Sequence, residues 1–259
     1  MSRAIPADGH PGGRQGRAGD GELGMLSRRH FCCAGVLAAT AAGLRSTFAA
    51  DHCEATTQQR QAAVSPDDAL NELRAGNERF VSQDMRNCDL LGQVRATAQG
   101  QYPFAMVIGC IDSRVPPELV FDQRIGDIFS ARLAGNIIDD DVIGSAEFAT
   151  RLAGAKLIVV LGHSECGAVK GSIDGAQLGK LTQLLEKIEP AVEANRNASG
   201  EHTSKNKEFV QQVATTNAGM GARHLREQSQ ILADLVARGD LKIVAAMHDV
   251  SSGRVTFLD

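Results

Sequence analysis

Residues 104–111, FAMVIGCI, are apolar almost without interruption between Pro103 and Asp112. A run of that length, punctuated at both ends, reads as a strand buried on both faces of a parallel sheet. KLIVVLGH at 156–163 is a second run of the same kind, and IFSARL at 128–133 predicts a shorter strand between them. Residues 139–152 carry the spacing of an amphipathic helix. Upstream, PDDALNELRAGNERFVS at 66–82 sets Ala69, Leu70, Leu73, Asn77, Phe80 and Val81 on one stripe. Pro66, Asp67 and Asp68 give that helix a favourable first turn. Downstream, residues 178–194 and about 205–238 predict helices, the second broken near Gly219 and Gly221. LKIVAAMHDV at 241–250 and RVTFL at 254–258 close the chain around a turn at Ser251, Ser252 and Gly253. The alternation predicts an α/β fold: a mostly parallel central sheet flanked by helices, with an antiparallel C-terminal edge strand and an N-terminal helical arm.

The chain has 259 residues, 43% hydrophobic and 22% charged, with a net charge of −4. That length supports one full-sized core, and the balance leaves no basic footprint for nucleic acid. Trp 0, Tyr 1 and Phe 9 argue against base-stacking surfaces. No apolar stretch approaches the ~20 residues that span a bilayer, so stable membrane insertion is not expected.

The first 50 residues read differently from the rest. Gly and Pro crowd residues 1–26, then Ser27-Arg28-Arg29-His30-Phe31 leads into FCCAGVLAATAAGL at 31–44 and small residues at 46–50. Basic residues, a short apolar run and a small-residue exit are the layout of a secretory signal, and the Arg pair resembles a twin-arginine signal. The alternative is a buried N-terminal helix. Residues 1–50 carry six Arg and three acids, a net of +3, which leaves 21 basic and 28 acidic residues beyond them, a net of −7. The division expected is a leader at 1–50 and a single domain at 51–259, exported to a periplasm, or cytoplasmic if the leader is not functional.

The chemistry gathers where two predicted strands end. One runs out in Gly109-Cys110-Ile111-Asp112-Ser113-Arg114, the other in Gly162-His163-Ser164-Glu165-Cys166-Gly167. Ligand groups in parallel sheets collect at this carboxyl edge. If the two strands are neighbours, Cys110, His163 and Cys166 converge as two thiolates and one imidazole, a zinc set that leaves one tetrahedral position open. Asp112 and Arg114, two residues apart beside Cys110, suit a carboxylate clamped bidentately and kept ionised. Of the other cysteines, Cys32 and Cys33 fall in the leader. Cys53 and Cys88 remain; disulfides persist in an exported chain, but Cys53 reads as part of a loose tail, so pairing and free thiols both stay open.

These motifs resemble the β-class carbonic anhydrases. Residues 109–118, GCIDSRVPPE, are similar to the family's first motif, GDIF at 126–129 and RLAGN at 132–136 to the stretch after it, and GHSECGA at 162–168 to the second. Ala69 through Phe80 resembles the N-terminal helix and Asp249 through Leu258 the last hairpin, so the likeness spans residues 66–258. It implies zinc held by Cys110, His163 and Cys166, one ion per subunit, and reversible hydration of CO2 to bicarbonate and a proton by zinc-bound hydroxide. Asp112, paired with Arg114, would orient that hydroxide; in some members this aspartate itself takes the fourth zinc position in an inactive state. Gln101 would donate to bound bicarbonate, Phe129 would line the apolar pocket, and Gly167 would help shape it. The glutamine and the ring often come from the partner subunit, which implies a homodimer or a dimer of dimers. Two positions depart from the pattern. Val107 replaces the tryptophan that some members use, with an arginine such as Arg132, in a non-catalytic bicarbonate site. His248 stands where a tyrosine is common. Two anionic thiolates lower the net charge at zinc compared with three imidazoles, so activity should climb above neutral pH. Hydrolysis of carbon disulfide or carbonyl sulfide at the same centre, and a site that binds zinc or bicarbonate as a sensor or structural module, are the competing readings.

Overall fold

The computed structural model describes residues 53–258, so the leader read at 1–50 lies outside the described residues. Five strands, β1 (Ala105–Gly109), β2 (Ile128–Arg132), β3 (Leu157–His163), β4 (Lys242–His248) and β5 (Val255–Leu258), form a sheet in the order β2-β1-β3-β4-β5. The first four are parallel, and β5 runs antiparallel to β4. Helices α1 (Gln58–Ala63), α2 (Pro66–Ser82) and α3 (Leu90–Thr97) precede the sheet. The connections hold α4 (Pro117–Val120), α5 (Asp140–Glu147), α6 (Gly167–Ile173), α7 (Gly179–Glu186), α8 (Glu189–Ala194), α9 (Lys207–Gln228) and α10 (Gln230–Ala237). Among the described residues no helix is long and apolar enough to cross a membrane.

The strand residues divide by alternation between two cores, as a period of two dictates. Met106, Ile108, Ile158, Val160 and Ile243 pack with Phe209, Val213, Ala218 and Leu225 of α9. Ala105, Val107, Leu157, Val159 and Ala246 pack with Leu73 of α2 and with Phe104 and Phe121. Both faces of β1 and β3 are therefore sealed, which is why their sequences read as unbroken apolar runs rather than alternating ones.

Four local readings change. The helix expected to break near Gly219 and Gly221 instead runs unbroken from Lys207 to Gln228. Gly221 is needed for closeness: a Cβ there would meet Ile138 and Val160 at 3.2 Å. The break comes at Ser229, whose hydroxyl accepts the Leu232 N–H at 3.2 Å to cap α10 and donates to Glu147 at 2.6 Å. The helix expected over 139–152 is α-helical to Glu147 and closes with a π turn, Phe148–Leu152. The one expected over 178–194 is two short helices, α7 and α8. Lastly, the tail holding Cys53 is anchored: Cys53 and Cys88 form a disulfide, Thr56 donates to Asp127 at 2.5 Å and Arg124 donates to the Glu54 carbonyl.

Gly76 and Asn77 seat α2 on the domain. A Cβ on Gly76 would lie 1.8 Å from the Phe121 carbonyl oxygen, so only glycine allows α2 to approach the end of α4. Buried Asn77 donates to the carbonyls of Val120 at 3.0 Å and Gly253 at 2.9 Å, and accepts the Val255 N–H at 2.8 Å. One side chain thus ties α2 to α4 and to the final hairpin. Asn77→Ala should destabilise the fold by about 3 kcal/mol, because one buried and two part-buried backbone groups lose their partner. Glu78→Ala, which breaks only an exposed pair with Arg254, should change it by less than about 1 kcal/mol; urea midpoints of the two variants check the contrast.

Candidate metal centre

Parallel pairing sets β1 beside β3 with Gly109 opposite Leu161, so Cys110 leaves one strand just where His163 ends the other. The chain then turns sharply: Glu165 sits at φ +57°, the left-handed region, an uncommon conformation for a residue with a side chain and one that marks functional turns. That turn returns Cys166 to the N-terminus of α6. The two sulfurs and a ring nitrogen of His163 all lie within 4.8 Å of one another, and all three residues are buried.

The donor atoms are prepared individually. His163 Nδ1 lies 2.9 Å from the Ser164 carbonyl, an acceptor only, so Nδ1 carries the proton and Nε2 presents a lone pair. Nε2 is buried and has no hydrogen-bond partner, as a metal-ligating nitrogen requires. Cys110 Sγ accepts the backbone N–H of Gly135 at 3.3 Å and of Asp112 at 3.4 Å. Chiefly a hydrogen bond from Cys166, and also those from these two amides, pull the Cys110 thiol far below the usual thiol range. The same bond to Cys110, with burial, pushes Cys166 up. Two soft sulfurs and one unpartnered imidazole nitrogen in a buried corner fit zinc, and three protein ligands leave a fourth position for solvent or substrate.

Beside them Asp112 meets Arg114 in a fork. Asp112 Oδ1 accepts from Arg114 Nε at 2.9 Å and from its backbone N–H at 3.0 Å, while Oδ2 accepts from Nη2 at 2.7 Å. This pairing, with burial opposing it, holds the Asp112 carboxyl well below the usual carboxylate range. Oδ2 also lies 4.0 Å from His163 Nε2, at the edge of the trio.

The other sequence-predicted positions fall elsewhere. Gly167 is the first residue of α6, next to Cys166, and no atom would come within 4 Å of a Cβ there. Gln101 precedes β1 at the N-terminal edge of the sheet, exposed. That is the edge opposite the trio, ~17 Å away at ~3.3 Å per strand residue. Phe129 lies opposite Met106 on edge strand β2 and stacks edge-on with exposed Phe148 at 6.2 Å between centroids. Neither is brought to this chain's own trio. Val107 is wholly buried in the core shared with α2. Opposite His163 on β4 stands His248, 3% exposed, both ring nitrogens unpartnered; burial lowers its pKa and keeps the ring neutral.

Two residues play supporting roles that the sequence does not reveal. Arg132 donates to the Cys110 carbonyl at 2.9 Å and the Asp112 carbonyl at 2.6 Å. Asn217, on α9, donates to the Gly135 carbonyl at 2.8 Å, holding the loop whose N–H reaches Cys110. Both act on backbone across long sequence separations and leave no local pattern to find.

Comparison with known proteins agrees with this geometry. A family model described as carbonic anhydrase matches residues 105–255. A carbonic anhydrase 2 of Mycobacterium tuberculosis is 37% identical over 203 residues, covering 76% of this chain and 94% of that protein. A carbonic anhydrase of Pseudomonas aeruginosa is 32% identical, covering 64% of this chain and 77% of that one. Among solved structures, a β-carbonic anhydrase of Aspergillus fumigatus aligns with TM-score 0.59 at 26% identity, covering 74% and 90% of the two chains. A tetrameric β-carbonic anhydrase of Sordaria macrospora aligns with TM-score 0.59 at 26% identity, covering 73% and 94%. With its Cys110–His163–Cys166 centre at the carboxyl edge of a parallel sheet, the chain belongs to the β-class carbonic anhydrases.

Proposed function

We propose that the zinc-dependent hydration of CO2, the activity of this family, is divided here between two subunits: one supplies the metal centre and an ionised Asp112, the other a pocket wall bearing Gln101 and Phe129. The observation that carries the first half is the Asp112–Arg114 fork beside the Cys110–His163–Cys166 trio. When bound, zinc supplies the Lewis acid that lowers the pKa of water from 15.7 toward ~7. Asp112, kept ionised by Arg114, only accepts hydrogen bonds; Oδ2 would accept one from the attacking oxygen, keeping its own charge and turning that oxygen's lone pair toward CO2. Gly167, with no side chain, leaves space beside Cys166 for substrate.

Support for the second half comes from exposed apolar surface. Leu90, Leu91 and Val94 on α3, with Ile111, Phe148 and Leu152, are exposed large hydrophobics, and β2 ends the sheet as an unpaired edge. Surface of this kind marks an interface. A two-fold dimer burying it accounts for Gln101 and Phe129 lying remote from their own trio, as each then lines the partner's site. Export is the reading we favour for the Arg28-Arg29 leader, and the Cys53–Cys88 disulfide supports it, because such bonds persist in oxidising compartments.

Three outcomes check this account. Asp112→Asn keeps the shape but replaces one accepting oxygen with a donor; it should keep its zinc and lose about 100-fold or more in kcat/KM by stopped flow, and a loss under about threefold would sink the assigned role. Because the Asp112 pKa is lowered, its pairing is complete above the ordinary carboxylate value of ~3.9 and is lost only as pH falls below that. Asp112 therefore contributes no inflection to activity between about pH 6.5 and 9, and the climb across that range belongs to the metal's water. For the shared site, mixed dimers of Gln101→Leu with Cys110→Ser subunits should recover about half the wild-type rate, one complete site per two-fold dimer. Mixed dimers as inactive as both parents would place Gln101 in its own subunit's site.

A further inference from the structure

Far from the metal centre, a groove of about 680 Å³ opens where β5 stops short of β4. Leu258, the last described residue of β5, pairs with Ala245, so the start of β4 extends past it. Two helices flank the notch, each with a stripe at i, i+3, i+4, i+7 spacing. Asp67, Leu70, Asn71 and Arg74 come from α2; Gly219, Ala222, Arg223 and Arg226 come from α9. Both stripes end in arginine.

The charge of this groove is out of keeping with the chain. Beyond residue 50 acids outnumber bases 28 to 21, yet the described lining holds one acid, Asp67, against Arg74, Arg223, Arg226 and Lys242. Asp67 is taken by Lys242. Arg74 lies over the Phe257 ring at 5.2 Å. None of the three arginines forms an ion pair with a described residue. The negative end of α9 favours Arg226, in its last turn, but offers nothing to Arg74 on the other wall. Three exposed arginines thus line one cleft, and guanidinium is the group that binds phosphate and carboxylate bidentately.

The groove also explains the glycine that was expected to break the helix. Gly219 costs a helix about 1 kcal/mol relative to alanine, and the helix runs through it. A Cβ there would meet only Arg223 Nη1, at 3.7 Å, so packing does not demand glycine as it does at Gly221. With Ala222 beside it, Gly219 keeps the α9 wall low and the cleft open.

We propose that this groove is a binding site for a small polyanion, a molecule with at least two phosphate or carboxylate groups that bridge Arg74 on α2 and Arg223 and Arg226 on α9. Its floor of Ile243, Ala245 and Phe257 accepts a carbon skeleton between the charged ends.

The test is calorimetric titration of the zinc-loaded full chain at low salt with two probes, fructose 1,6-bisphosphate and tricarballylate, zinc content being measured before and after. We expect saturable one-to-one binding of at least one probe, weakening steeply with salt, and the preferred probe distinguishes a phosphate from a carboxylate ligand. Arg74→Ala with Arg226→Ala should weaken it about 100-fold, roughly tenfold for each lost charge-assisted contact. Gly219→Leu keeps every charge, removes a helix-weakening glycine and fills the cleft; it should abolish binding with no loss of thermal stability. No saturable binding of either probe to the wild-type chain would overturn the proposal. Binding that survives both Gly219→Leu and the double arginine variant would also overturn it, because it would then lie elsewhere.

Discussion

The parallel pairing of β1 with β3 is the interaction on which the rest depends. Cys110 belongs to one strand end and His163 to the other, more than fifty residues apart, and only adjacency in that register brings them within reach of one ion. The pairing is secured from both faces by apolar side chains that are almost wholly buried. A one-residue slip would turn every one of them to the wrong face. The metal centre thus inherits its precision from the core. The costly features, a left-handed Glu165 and buried thiols, are confined to the short turns that follow the strands.

Around that corner the charges are arranged in a consistent sense. Backbone amides point at Cys110, a carbonyl fixes the tautomer of His163, and Arg114 grips Asp112 through both oxygens. Each contact favours the form that a metal-dependent hydration needs: ionised sulfur, a free imidazole lone pair, and an acceptor-only carboxylate. Arg132 and Asn217 hold the backbone that makes these contacts, so preorganisation extends well beyond the ligands.

Much of this is legible in the sequence. The buried runs at 104–111 and 156–163 mark the two central strands because a two-sided core demands continuous apolarity, and the ligands sit directly after them. The helix-breaking reading of Gly219 and Gly221 failed because propensity is a local quantity, and tertiary packing against Ile138 and Val160 outweighs it. The short helices α1, α3 and α6 carry too few residues for a period to show. The anchoring of Cys53 depends on Asp127 and Arg124, some seventy residues away, and no local pattern encodes it. The same applies to Arg132, whose partners are carbonyl groups common to every residue.

The central claim is that Cys110, His163 and Cys166 hold one zinc ion with a fourth position left for a light atom. Zinc K-edge X-ray absorption on the zinc-loaded protein measures that directly. The account predicts two sulfur neighbours at about 2.3 Å and two nitrogen or oxygen neighbours at about 2.0–2.1 Å. In the Cys166→Ser protein it predicts a single sulfur. A shell of three or four sulfurs, or a wild-type spectrum unchanged by that substitution, would contradict it.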